Sequence, residues 1–87
     1  MILSASDRSV LHNLPGPTST GRTCGKIAQL CFKQDGLNDE KCWQTVCALV
    51  DRGLVERFER TDDGGSRYYY RLTKNGQREI RAITQAA

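Results

Sequence analysis

The sequence predicts an α+β domain in which three helices precede a two-stranded hairpin and a fourth helix follows it. Three observations carry this. The stretch from Asn38 to Gly53 reads as a helix marked at both ends. After Gly53 the spacing of apolar residues changes from helical to alternating. The cluster Thr61-Asp62-Asp63-Gly64-Gly65-Ser66 then separates two extended runs, and Asp-Gly between such runs is hairpin chemistry. A chain of 87 residues reads as one domain over residues 1–87, with its core expected over 4–84.

Each element has its own local reasons. The first helix is expected to start at Ser4 or Ser6, since Ser4 and Asp7 have the spacing of a capping box. Val10, Leu11 and Leu14 form its apolar stripe, and Pro15-Gly16-Pro17 ends it, because proline cannot continue a helix. Thr20 or Thr23 caps the second helix, with Cys24, Ile27, Ala28, Leu30 and Cys31 inward and Lys26 and Lys33 outward. In the third helix Asn38 is the N-cap, Asp39 and Glu40 complement the helix dipole, and Gly53 takes the left-handed position after the end. At about 100° per residue, Cys42, Trp43, Val46, Cys47, Leu49 and Val50 share one side of this helix. Lys41, Gln44, Thr45, Ala48, Asp51 and Arg52 share the other. Trp43 could serve as an exposed stacking surface, but its place inside the apolar arc makes the core its expected position. Leu54 to Arg60 and Arg67 to Leu72 read as strands, with Tyr68, Tyr70 and Leu72 on one face and Tyr69 and Arg71 on the other. Tyr68 and Tyr70 are expected to pack inward, leaving Tyr69 exposed. Thr73 caps a last helix running to about Thr84, with Ile80 and Ile83 inward and Lys74, Arg78 and Arg81 outward.

Composition narrows the function classes. The net charge is +3 and the pI about 8.8, a mild basicity compatible with a polyanionic partner. A domain this small hides only about 60% of its unfolded surface, so pairing into a homodimer would stabilise it. Met1-Ile2-Leu3 leads straight into polar residues, so a secretory leader is not expected and a cytoplasmic location is. No apolar run is long enough to cross a membrane. Cys24, Cys31, Cys42 and Cys47 show no C-x-x-C spacing, and His12 is distant from them. They read as buried free thiols rather than a metal site or a disulfide framework. Cys42 and Cys47 are five residues apart and cannot easily bridge within one intact helix. Residues Gly16 to Thr23 have the spacing of a phosphate-binding loop with Arg22 in the lysine position. That motif needs a strand before it, and what precedes it here is a helix and a Pro-Gly-Pro break, so a plain loop is the better reading. No nucleophile–base–acid set is present, so neither an enzyme nor a cofactor is expected.

The order of elements resembles a winged helix-turn-helix domain. Two stretches carry the likeness. Val50-Asp51-Arg52-Gly53-Leu54-Val55-Glu56-Arg57 looks like the end of a recognition helix entering the wing. Tyr69-Tyr70-Arg71-Leu72-Thr73-Lys74-Asn75-Gly76 looks like the wing's return strand and the cap of the following helix. Both are similar to MarR, PadR and ArsR-type regulators. The resemblance implies a small transcriptional regulator that binds double-stranded DNA sequence-specifically, with helix 38–53 in the major groove and wing 55–72 on the backbone. The residues agree. Gln44 suits adenine N6 and N7, Lys41 suits guanine or phosphate, and Thr45 and Ala48 suit thymine methyls. Arg60, Ser66 and Arg67 flank the hairpin tip, and Arg22 and Lys26 open the preceding helix, where they would hold phosphates. The alternative is a protein–protein interaction module in a transcription, replication or packaging complex. Asp39, Glu40, Asp62 and Asp63, carboxylates on the surfaces that would approach a polyanion, favour it.

Overall fold

The computed structural model describes residues 3–62 and 64–86, the side chains of Asp62 and of residues 83–86 excepted. Asp63 and the Ile83 side chain thus lie outside the described residues. In chain order come α1 (Ala5–His12), α2 (Cys24–Asp35), α3 (Asp39–Asp51), β1 (Val55–Asp62), β2 (Gly65–Leu72) and α4 (Lys74–Ala86).

The helix ends follow local chemistry. Ser4 Oγ accepts the Asp7 N–H at 3.1 Å, and Asp7 Oδ2 accepts the Ser4 N–H at 2.9 Å, a complete capping box. Thr23 rather than Thr20 caps α2, accepting the Lys26 N–H at 3.3 Å. Asn38 Oδ1 accepts the Lys41 N–H at 2.8 Å. Beyond Arg52, Gly53 has φ +77°, and the chain reverses so that the Leu54 N–H reaches the Leu49 carbonyl at 3.1 Å. Thr73 joins two elements with one hydroxyl. It donates to the Gly53 carbonyl at 2.7 Å and accepts the Gly76 N–H at 3.1 Å. Gly76 is needed there, because a Cβ would collide with the Leu54 carbonyl oxygen on which the first turn of α4 sits.

Val10, Leu11, Ile27, Cys31, Cys42, Val46, Leu49, Leu54 and Tyr70 form the fully buried centre. On α3 the buried strip is Cys42, Thr45, Val46 and Leu49, which corrects the expected arc at three positions. Thr45 is inside, Trp43 is 45% exposed, and Cys47 lies on the side opposite the strip, half-buried. Packing against both α1 and α2 sets the rotation of α3, and it turns the helix away from the side its apolar residues alone would choose. Thr45 tolerates burial because its hydroxyl donates to the Lys41 carbonyl at 2.7 Å. Arg52 ties α3 to α1 through Asp7 Oδ2 at 3.2 Å.

The four cysteines are free thiols, two on α2 and two on α3. Burial foremost, then the neighbouring Cys31 thiol, pushes Cys42 up to about 12. Burial foremost, then Cys47, raises Cys24. Both of these therefore stay protonated, and the buried Cys31 and Cys42 pack as small apolar groups. Among the described residues no group of three or more His, Cys, Asp or Glu is placed to hold a metal ion. No helix of the described residues is long and apolar enough to cross a membrane.

The strands pair antiparallel from Val55↔Leu72 to Asp62↔Gly65, so the ladder runs further toward the tip than expected. Residues opposite one another share a face. Val55, Arg57 and Glu59 with Leu72, Tyr70 and Tyr68 form the face toward α3, fixed by the Tyr70 ring standing edge-on to Trp43. Glu56, Phe58 and Arg60 with Arg71, Tyr69 and Arg67 form the other. Arg22 adds a one-residue third strand on β2, giving its N–H to the Tyr70 carbonyl at 2.9 Å and accepting the Tyr70 N–H at 2.8 Å. The preceding loop crosses the second face so closely that a Cβ on Gly21, at φ +91°, would lie 2.6 Å from Phe58 Cζ.

Candidate nucleic-acid interface

The exposed side of α3 is built by exclusion: the core takes positions 42, 45, 46 and 49. Glu40, Gln44, Cys47 and Asp51 follow the opposite direction at helical spacing. Lys41 and Ala48 lie exposed on one flank and Trp43 on the other. Of the expected base-reading set, Lys41, Gln44 and Ala48 therefore face outward, and Thr45 does not. Its hydroxyl is spent within the helix and its methyl is buried, so it lacks the exposure a contact with a thymine methyl requires.

The phosphate candidates divide similarly. Lys26 is exposed in the first turn of α2. Arg22 is a correction: its guanidinium donates to the Asn13 carbonyl, while Asn13, itself buried, gives its amide to the Ser9 carbonyl at 2.8 Å. Arg22 thus ties the loop to the end of α1. Arg60 donates to the Thr20 carbonyl at 2.8 Å and lies 4.3 Å above the Tyr69 ring. Arg67 is exposed opposite it. Both project from the hairpin face turned away from α3. Ser66 is exposed and in register with Thr61, on the α3 side.

Two residues of this surface escaped the sequence reading. Arg57 is exposed on the α3 side, 5.2 Å above the Tyr68 ring. Period-two alternation from Val55 is the signal that would have placed it. Burial foremost raises the Tyr70 phenol, and the nearby Arg57 guanidinium opposes that shift. Trp43, its ring centroid 6.4 Å from that of Tyr70 at 86°, closes the corner between α3 and the wing. Tyr68, expected inside, is 56% exposed, and Tyr69 instead is half-buried against Phe58. The field is mixed. Within α3 one lysine, Lys41, stands against Asp39, Glu40 and Asp51. The acids of the first turn are partly balanced by the positive end of the helix. A groove lined by Arg8, Ser9, His12 and Asp35 involves neither α3 nor the hairpin.

Solved structures with this arrangement exist. A PadR family transcription regulator from hypervirulent Clostridium difficile R20291 superposes with a TM-score of 0.80 at 17% identity, covering 95% of this chain and 86% of that one. A MarR family transcription regulator gives 0.75 at 21% identity, covering 97% and 51%. Bacillus subtilis PadR, solved in complex with operator DNA, gives 0.74 at 15% identity, covering 95% and 48%. The chain has the winged helix-turn-helix fold. In that fold α2 and α3 are the helix-turn-helix, the hairpin is the wing, and Arg22 supplies the wing sheet's third strand. The winged helix spans about half the length of the latter two proteins. No family model matches the sequence, and no curated relative is found.

Proposed function

We propose that this winged helix is a small transcriptional regulator that binds duplex DNA sequence-specifically, placing α3 in the major groove and the wing on the flanking backbone. One observation supports it most. Lys41, Gln44 and Ala48 stand exposed on a helix whose far side is core, so their donors and methyl reach a groove without the fold opening. The likeness to a PadR protein solved on operator DNA lends the arrangement support. In this reading the chain acts by binding rather than by catalysis, in the cytoplasm, and two copies would read half-sites about one helical turn apart. Anisotropy titrations with labelled genomic duplexes test it. Affinity is expected to fall steeply with salt as counterions return to the phosphates. Gln44→Ala is expected to lose about 1–3 kcal/mol of discrimination between sequences, whereas Arg67→Ala weakens all duplexes alike. Absence of duplex binding at low salt refutes the proposal.

The carboxylates of α3 favour a second reading, a protein-docking module. Capture of a defined protein partner by material indifferent to DNA selects it.

A further inference from the structure

We propose that Trp43 is a specificity contact that reads the 5-methyl groups of thymine in the major groove, making A·T-rich duplexes the preferred ligand. The inference rests on the DNA-binding reading above and adds a residue and a base preference to it.

A tryptophan inside an apolar arc has every reason to be buried, yet 45% of Trp43 is exposed. It is also held. Its ring stands edge-on to Tyr70, which is 2% exposed and bonded to Arg22 through both backbone groups. A side chain pre-ordered in this way loses little conformational freedom on binding. The charge pattern of α3 points the same way. With one lysine against three carboxylates, contacts between this helix and base edges must come mainly from uncharged groups. The exposed ones in its first three turns include Trp43, Gln44 and Ala48. An A·T pair shows in the major groove an adenine N6/N7 edge and a thymine methyl. An amide at Gln44 beside an indole at Trp43 matches those two features together. Arg57 on the adjoining strand and Lys41 on the far flank of α3, both exposed, supply the positive charge that brings a phosphate backbone close.

Trp43 is the chain's one tryptophan, so its emission reports this corner without a label. The test uses the full chain and an alternating dA·dT duplex of about two helical turns. A second duplex carries deoxyuridine in place of every thymidine, and the unpaired dT strand is a third probe. Affinity is read by anisotropy of end-labelled DNA, and contact by Trp43 emission. The thymine duplex is expected to change the emission and to bind about fourfold tighter per contacted methyl than the uracil duplex. That factor is ~0.8 kcal/mol for one buried carbon at 1.4 kcal/mol per tenfold. Trp43→Ala is expected to lose the share of the thymine preference that Trp43 supplies, about fourfold per contacted methyl, leaving only what the Ala48 methyl contributes, and Trp43→Phe to keep part of that share with the fold intact. Equal binding of thymine and uracil duplexes by the unaltered chain overturns the proposal, as does duplex binding with unchanged emission. Both leave the DNA-binding reading standing. A larger emission change with the single strand makes Trp43 a stacking platform and likewise overturns it. No duplex binding at low salt removes both readings.

Discussion

The two faces of the β1–β2 hairpin carry the same kinds of residue, arginine and aromatic, and use them differently. On the face away from α3, Arg71 lies 4.5 Å above Phe58, Phe58 stacks on Tyr69 at 6.2 Å, and Arg60 lies 4.3 Å above Tyr69. Each end of this column also donates to the loop that covers it, Arg71 to the Ser19 carbonyl at 2.9 Å and Arg60 to the Thr20 carbonyl at 2.8 Å. On the α3 face, Arg57 and Tyr68 have the same geometry but remain exposed. Arginine beside aromatic residues therefore does not mark a binding surface by itself. The difference is that on the covered face each guanidinium is anchored by a bond to a loop carbonyl, whereas no such carbonyl bond is seen for Arg57 among the described residues.

Gly21→Ala attacks the covered face and has the largest expected effect. The left-handed backbone and the collision with Phe58 should together cost about 1–3 kcal/mol in urea denaturation. Duplex affinity measured under native conditions should change little. A loss of affinity as large as the loss of stability would mean that the two faces are not independent.

A matched pair of smaller changes sharpens the contrast. Arg71→Ala should cost about 1 kcal/mol, since it removes a ring contact and a hydrogen bond to the covering loop, and Arg57→Ala about 0.5 kcal/mol, since it removes an exposed ring contact. Only Arg57→Ala is expected to weaken duplex binding in anisotropy titrations. Equal affinities for the two variants would erase the functional difference between the faces.

The smallest effect is a pH dependence confined to the covered face. A hydrogen bond from Arg71 Nε at 2.9 Å, foremost, holds the Glu56 carboxyl below its ordinary 4.5. A depressed carboxylate contributes fully above that ordinary value and is lost as pH falls through the folded one. The Arg71 Nε–H resonance should therefore shift or broaden in acid below pH 4.5 while that of Arg57 does not.

What was legible in the sequence was what is decided locally. Ser4 with Asp7, Thr23, Asn38, Gly53 and Thr73 mark helix ends because each satisfies or redirects backbone groups within four residues. The hairpin was legible from its turn and its alternation. The rotation of α3 was not, since α1 and α2 together, and not hydrophobicity alone, choose which arc is buried. That is why Thr45 and Trp43 exchange their expected places. Nor was the fate of Arg22, Arg60 and Arg71 legible, because their partners Asn13, Thr20 and Ser19 lie 9, 40 and 52 residues away in the chain. For the candidate site, the outward Lys41 and Gln44 follow from helical period and Arg57 from strand alternation, whereas Trp43 emerges only once the wing is laid beside the helix.

Gly76 and Thr73 make the corner between α3, the wing root and α4 a rigid joint rather than a hinge. Torque on the far end of α4 would turn α3 with it instead of being absorbed in between. If a second copy grips α4, the two heads are held at a set separation, and binding sites whose halves differ from that pitch by even one base pair are penalised by geometry alone.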